Sequence, residues 1–160
     1  MIVRAVEPSD VEAWAAMRAR LWPGEDRDEL AREASAFFDA EHAWLDIDAA
    51  FIADDGGEPL GFLELSIRRT SDGCTSSPVP HVEAWYVEAS ARGTGVGRAL
   101  LHAAEDWASA RGFVELASDA ELDNVDSQRA HEACGFEEVD RLVKFRKPLG
   151  ANSQPHPTGD

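Results

Sequence analysis

Seven residues between a strand-like and a helix-like stretch, Arg92-Gly93-Thr94-Gly95-Val96-Gly97-Arg98, could do chemistry with an anion. Successive backbone N–H groups at the start of a helix form an anion site. Glycines let a pyrophosphate come close to the backbone, and two flanking arginines offer charge-assisted hydrogen bonds. The spacing is not that of a dinucleotide fold, because Arg98 fills the third glycine position, nor of a P-loop, which needs Gly-Lys followed by Ser or Thr. Taken alone, the segment reads equally as a tight strand-to-helix turn.

The elements that must position this segment follow from periodicity. Residues 2–6 alternate as a short strand. Ser9 and Glu12 fit a capping box, and Val11, Trp14, Met17 or Arg18, and Leu21 follow at helical spacing. Trp22-Pro23-Gly24 stops that helix, and 26–40 reads as a second, very acidic one. Strands are expected at 51–53, 59–69 and 81–87, with a turn at 54–57 and a loop at 70–80. A helix runs from the glycine-rich segment to Gly112, with Val96, Leu100, Ala103, Ala104 and Trp107 on one stripe. A strand at 113–117, a helix at 124–134 and a last strand at 139–145 complete the order β-α-α-β-β-β-α-β-α-β. Three consecutive strands in mid-chain predict an α+β fold with a mixed sheet rather than a doubly wound one. Residues 1–148 form one domain on this reading, and 149–160 a disordered tail.

Charge narrows the partners. The 160 residues include 31 acidic and 15 basic ones, a net charge of −16, which disfavours nucleic acid and favours a cationic partner. Residues 1–60 hold 15 acidic and 5 basic side chains, so the acid excess is strongest there. Two cysteines, Cys74 and Cys134, form neither a disulfide framework nor a metal-ligand spacing, and the histidines form none either; no metal is expected. No stretch resembles a signal peptide or a membrane span, which predicts a cytoplasmic protein.

A second pattern follows the glycine segment: Asn124-x-x-Ser127-x-x-x-His131-x-x-x-Gly135-Phe136. Together with Arg92-x-x-Gly95-x-Gly97 it resembles the two acyl-CoA signatures of the GCN5-related N-acetyltransferase superfamily, with Ser127 and His131 in place of alanine and tyrosine. The resemblance covers residues 1 to about 148. It implies a central, mostly antiparallel sheet flanked by helices, with acetyl-CoA bound where two mid-sheet strands splay. The amides of Gly93, Thr94, Gly95, Val96, Gly97 and Arg98 would hold the pyrophosphate beside Arg92. The backbone of Trp85, Tyr86 and Val87 would hold the pantetheine and the thioester carbonyl, and Asn124 would hydrogen-bond the cofactor. His131 stands at the tyrosine general-acid position; a histidine can donate a proton too, or can simply pack beside the cofactor.

The stretches Leu21-Trp22-Pro23-Gly24, Gly73-Cys74-Thr75-Ser76-Ser77-Pro78, Val82-Glu83, Ala117-Ser118-Asp119 and Gly135-Phe136-Glu137-Glu138 are similar to the aminoglycoside 6'-N-acetyltransferases. That likeness implies an acidic pocket for a polycationic aminosugar, with Trp22, Glu83, Asp119 and Asp140 at substrate-contact positions, and a homodimer. The chemistry is coherent: an amine must be neutral to attack a thioester, and a carboxylate can accept its proton. Glu83 and Asp119 are the candidates, and their charges also bind ammonium groups. Without the likeness, Glu83 and Asp140 read as solvated strand positions, Asp119 as a turn cap, and Trp22 as a core anchor. The other function classes are an acetyltransferase for another cationic amine such as a polyamine, and a non-catalytic acyl-CoA-binding sensor.

Overall fold

A computed structural model describes residues 1–39 and 46–150. Five strands are β1 (Ile2–Ala5), β2 (Ala49–Asp55), β3 (Glu58–Arg68), β4 (Val79–Val87) and β5 (Ala117–Ser118); four helices are α1 (Val11–Leu21), α2 (Arg27–Ala36), α3 (Val96–Ala110) and α4 (Val125–Ala133). The strands lie in sequence order in one sheet, antiparallel from β1 to β4 and parallel between β4 and β5. The expected mixed α+β architecture is what forms. Among the described residues, no helix is long and apolar enough to cross a membrane.

Helices cover both faces of the sheet, so alternating strand residues feed two cores. Leu63, Leu65 and Val82 pack with Leu100, Leu101 and Ala104 of α3. Ile52, Phe62, Ala84 and Tyr86 pack with Trp14 and Met17 of α1 and Ala34 of α2 on the other face. Fully burying one large apolar side chain stabilises by about 1.5–3 kcal/mol. The period-2 alternation of Phe62 to Leu65 is therefore read by both layers at once, and a register slip would exchange the two faces.

α3 begins at Gly95, whose left-handed backbone (φ +95°) a side chain would disfavour. It ends in a Schellman arrangement. Phe113 N–H donates to the Ala108 carbonyl at 3.1 Å, and Gly112 N–H to that of Ser109 at 3.0 Å. Pairing between β3 and β4 slips by one residue, with Glu64 opposite Ala84 and Leu65 opposite Val82. Glu83 is the extra residue of this bulge. Bulges re-aim side chains and occur beside active sites.

Several expected boundaries move. β2 reaches from 49 to 55 rather than 51 to 53, because it pairs along its length with β1 and β3. α2 ends at Ala36 and residues 37–39 form a turn; residue 40 lies outside the described residues. The strand expected at 113–117 is reduced to Ala117–Ser118, paired with β4 only at His81 and Val82. The last strand expected at 139–145 does not form. Its alternation breaks at Leu142-Val143, and no strand among the described residues ladders with it. Val139, Leu142, Val143 and Phe145 stay exposed, Phe145 at 94%. Most of the expected tail, 151–160, lies outside the described residues.

Candidate active site

The glycine segment is an open cradle. Gly93 (φ +76°) and Gly95 both take left-handed backbone, and a Cβ built on either meets nothing within 4 Å. Thr94 braces the turn by donating its hydroxyl to the Ala91 carbonyl at 2.7 Å. The first bond of α3 runs from Ala99 N–H to the Gly95 carbonyl, and no side chain caps the helix. The amides of Val96, Gly97 and Arg98 thus precede the helical ladder, as the first N–H groups of any helix do. Arg92 Nε donates to the Val87 carbonyl at 3.1 Å, and Arg98 Nη2 to the Ala133 carbonyl at 2.7 Å. Arg98 thereby ties the start of α3 to the end of α4. Trp85 Nε1 donates to the Gly97 carbonyl at 3.1 Å, and a Cβ on Gly97 would crowd the Trp85 ring at 3.2 Å. β5 stays beside β4 only as far as the Val82–Ser118 pair, so the β4 backbone of Trp85, Tyr86 and Val87 runs past the end of that ladder. The Tyr86 side chain is buried on the opposite face, its hydroxyl donating to Glu88. The donor set of this cradle suits a phosphate-bearing ligand.

The bulge sets Glu83 against the side chains of β3. Arg68 grips it from two nitrogens, Nε to Oε1 at 2.8 Å and Nη2 to Oε2 at 2.7 Å, and the Ser66 hydroxyl donates to Oε1 as well. Burial pushes the Glu83 carboxyl up, but the Arg68 and Ser66 hydrogen bonds outweigh it and hold it below the ordinary carboxylate value. His81 lies two residues earlier and is 2% exposed. Its Nδ1 is 3.6 Å from Glu83 and its Nε2 3.5 Å from Asp119. Burial, then the Arg68 charge, push the imidazole down, so it is neutral at neutral pH. Asp119 leaves β5 with its side chain 74% exposed.

Beneath this lies a buried charge cluster. Glu64 on β3 accepts from Trp14 Nε1 at 2.8 Å and pairs with Arg18 Nε at 3.0 Å. Arg18 also reaches Glu33 at 2.9 Å and the Leu30 carbonyl at 3.2 Å. Its guanidinium stacks over Trp22 at 5.2 Å and Trp14 at 5.9 Å. Full burial raises Glu64 to about 7, against the pull of Arg18 and Trp14. Trp22, Glu33, Glu64, Asp48 and Glu83 share the wall of a cavity of about 730 Å³. A second cavity, of about 690 Å³, is lined by His81, Asp119, His131 and Asp140, and Arg68 borders both.

His131 on α4 packs between Trp85 and Phe136, both ring centroids 5.1 Å away. Its Nδ1 lies 2.7 Å from the Ser127 carbonyl, so it must carry the proton; Nε2 then accepts from the Ser118 hydroxyl at 2.7 Å. Asn124 caps α4, its side-chain oxygen accepting from Ser127 N–H at 3.1 Å. Asp140 is exposed and accepts from Arg141 N–H. Asp119, His131 and Asp140 thus share one cavity past the end of the β4–β5 ladder, while Glu83 and Trp22 share the neighbouring one across Arg68. Four groups were given no functional role from the sequence: His81, which reads there as structural or surface, and Arg68, Glu64 and Arg18. Glu64 alone carried a signal, an acid inside the apolar run Phe62-Leu63-Glu64-Leu65.

Residues 11–136 match the acetyltransferase (GNAT) family, and the chain belongs to it. Within that class it is similar to an aminoglycoside N(6')-acetyltransferase type 1 from Stenotrophomonas maltophilia, 45% identical over 92% of this chain and 93% of that protein. A protein of the same name from Klebsiella aerogenes is 46% identical over 92% of this chain and 97% of its own. Among solved structures, AAC(6')-Iy in complex with the bisubstrate analogue CoA-S-monomethyl-acetylneamine superposes with a TM-score of 0.83 at 35% identity, covering 92% of this chain and 98% of that one.

Proposed function

We propose that the chain is an acetyl-CoA-dependent aminoglycoside 6'-N-acetyltransferase that inactivates the antibiotic by direct transfer of acetyl to a primary amine in a ternary complex. The observation that carries this reading is a pair of acid-lined cavities that share Arg68, one walled by Glu83 and Trp22 and the other by Asp119 and Asp140, in a fold that also offers an open glycine cradle at the start of α3. The similarity at 45% identity over nearly the whole chain supports the same substrate class.

In this mechanism the amides of residues 93–98 hold the pyrophosphate, with Arg92 and Arg98 beside it, and the Asn124 amide contributes a further hydrogen bond. A backbone N–H among Trp85, Tyr86 and Val87 polarises the thioester carbonyl, a donor aimed where negative charge develops. Glu83, charge-balanced by Arg68, orients an ammonium group; Asp119, open to solvent, takes the proton of the attacking amine. Nitrogen attacks the carbonyl carbon, the carbon–sulfur bond breaks, and the thiolate leaves. His131 accepts the Ser118 hydroxyl at its Nε2 and packs against Trp85 beside the cradle, in a structural role. Trp22 offers an aromatic surface to a sugar ring or a cation.

The protein acts in the cytoplasm, takes no nucleic-acid partner, and forms a homodimer. Exposed apolar residues on the extended, unladdered segment 139–145 support the dimer, because a second copy would cover them. The testing experiment measures CoA release from acetyl-CoA with tobramycin, which has a 6'-amine, and paromomycin, which has a 6'-hydroxyl. Turnover of the first alone is expected. Turnover of both would move the acetylated amine elsewhere, and silence with every aminoglycoside would overturn the substrate class.

A further inference from the structure

Three side chains with different proton affinities meet at the base of the cleft, and the middle one has no assigned role. His81 sits between Glu83 and Asp119, 3.6 Å and 3.5 Å from their oxygens. Its ring is buried, and its Nδ1 finds no hydrogen-bond partner. A buried imidazole nitrogen left unpaired works against stability, so packing gives no reason for a histidine here. His81 is paired across the sheet with Ser66, the same residue that donates to Glu83.

The two flanking carboxylates are poor places to keep a proton. Glu83 has both oxygens occupied by Arg68 and Ser66. Asp119 is exposed to solvent, where a proton it takes is readily lost. A neutral imidazole is the stronger base of the three. Its Nε2 faces Asp119, on the side of the cavity in which the amine is proposed to react.

Building on the amine-acetylation reading, we propose that His81 holds the proton of the reaction: it passes from the substrate ammonium through Asp119 to His81 Nε2, with Glu83 on the other side of the ring. The neutral amine then forms the carbon–nitrogen bond as the carbon–sulfur bond breaks. The second nitrogen proton neutralises the departing thiolate, and His81 returns its own proton to solvent through Asp119. Ammonium and thioester become amide, thiol and one released proton. His81 acts through Asp119 and is a positioning residue rather than a catalytic one.

The groups facing the ring set the sign of the pH dependence. Arg68 on β3 and burial favour the neutral form, and Glu83, Asp119 and the Val82 backbone favour the charged form; the first two prevail. Activity is therefore lost as pH falls below the ordinary histidine value of 6.5, where His81 arrives already protonated.

The experiment compares wild type with His81→Gln across pH, using tobramycin as acceptor and thermal shift by acetyl-CoA as a folding control. The expected result is a kcat about tenfold or more lower, loss of the acid limb, and unchanged KM for both substrates. His81→Ala should regain part of its kcat from added imidazole, which a purely structural role would not allow. The wild-type His81 titration, followed by NMR without any variant, should coincide with the acid limb of kcat. A His81→Gln enzyme with wild-type kcat and an intact acid limb would overturn the proposal, as would a defect confined to KM or an NMR titration more than one pH unit away. Wild-type silence toward every amine would instead overturn the acetyltransferase reading and this proposal with it.

Discussion

The two halves of the cleft are built by different means. The half around the start of α3 uses backbone: two left-handed glycines, uncapped helix amides, and the β4 strand beyond the point where β5 leaves it. The other half uses side chains drawn from distant parts of the chain: Arg18, Glu33, Glu64, Arg68 and Glu83 toward α1 and α2, and His81 and Asp119 on the far side of Arg68. Backbone donors cannot titrate and are fixed by secondary structure. The side-chain half is a network of charges in which each group is set by its neighbours. A ligand common to a whole class can be met by the first kind of site, whereas recognition of one cationic substrate needs the second.

The largest expected effect tests how far the charged half depends on its buried foundation. Glu64→Ala leaves Arg18 without its most buried partner and Trp14 Nε1 without an acceptor. Breaking a buried pair from one side costs about 3–5 kcal/mol, to be read from the urea unfolding midpoint. Glu64→Gln, which keeps an acceptor for Trp14, should lose less and should flatten the pH dependence. With the folded carboxyl raised from 4.5 to about 7, its contribution to stability is fully present below pH 4.5 and disappears as pH rises through 7. Wild type should therefore lose stability relative to Glu64→Gln across that window; parallel curves would show that Glu64 titrates normally.

Next comes the separation of function between the halves. Glu83→Ala should lower kcat/KM for the aminoglycoside about 100-fold, which is about 2.7 kcal/mol, and leave acetyl-CoA affinity as it is. Gly95→Ala should do the reverse. A left-handed backbone costs a non-glycine residue about 1–2 kcal/mol, so the cradle shifts and the KM for acetyl-CoA should rise about tenfold with little change for the amine. The open space around Gly95 means the effect comes from backbone conformation and not from a clash. If each variant affected both substrates equally, the two halves would be one mechanical unit.

The same division governs what could be read in advance. Gly93, Gly95 and Gly97 announce the cradle because a backbone site leaves its mark as spacing within seven consecutive residues. The four helices and most of the sheet were legible for the same reason: their periodicities are local. His81 gave no such sign. Its role depends on Asp119, 38 positions away, and on a one-residue bulge set by the pairing of β3 with β4, which no local pattern encodes. Arg18 could be placed on the inward stripe of its helix only as an alternative to Met17, and its partners could not be read: it is 4% exposed because Glu64 and Glu33 meet it from two other elements. Residues 139–145 erred in the opposite direction. Their composition suits a strand, but a strand exists only with a neighbour to ladder against, and none of the described strands supplies one.

The smallest effect bears on whether the charged half extends into α2. Asp26 caps that helix, accepting from Asp28 N–H at 2.8 Å and Glu29 N–H at 3.1 Å. Asp26→Ala removes the cap and costs about 1 kcal/mol, seen as a small drop in Tm. Two turns further on, Glu33 pairs with Arg18, which in turn holds Glu64 and stacks on Trp22. Fraying at the start of α2 should loosen that chain and raise the KM for the aminoglycoside about two- to threefold, less than 1 kcal/mol of binding, while the KM for acetyl-CoA stays fixed. An unchanged aminoglycoside KM in the face of the lower Tm would confine substrate recognition to the sheet and reduce α2 to a cover over its core.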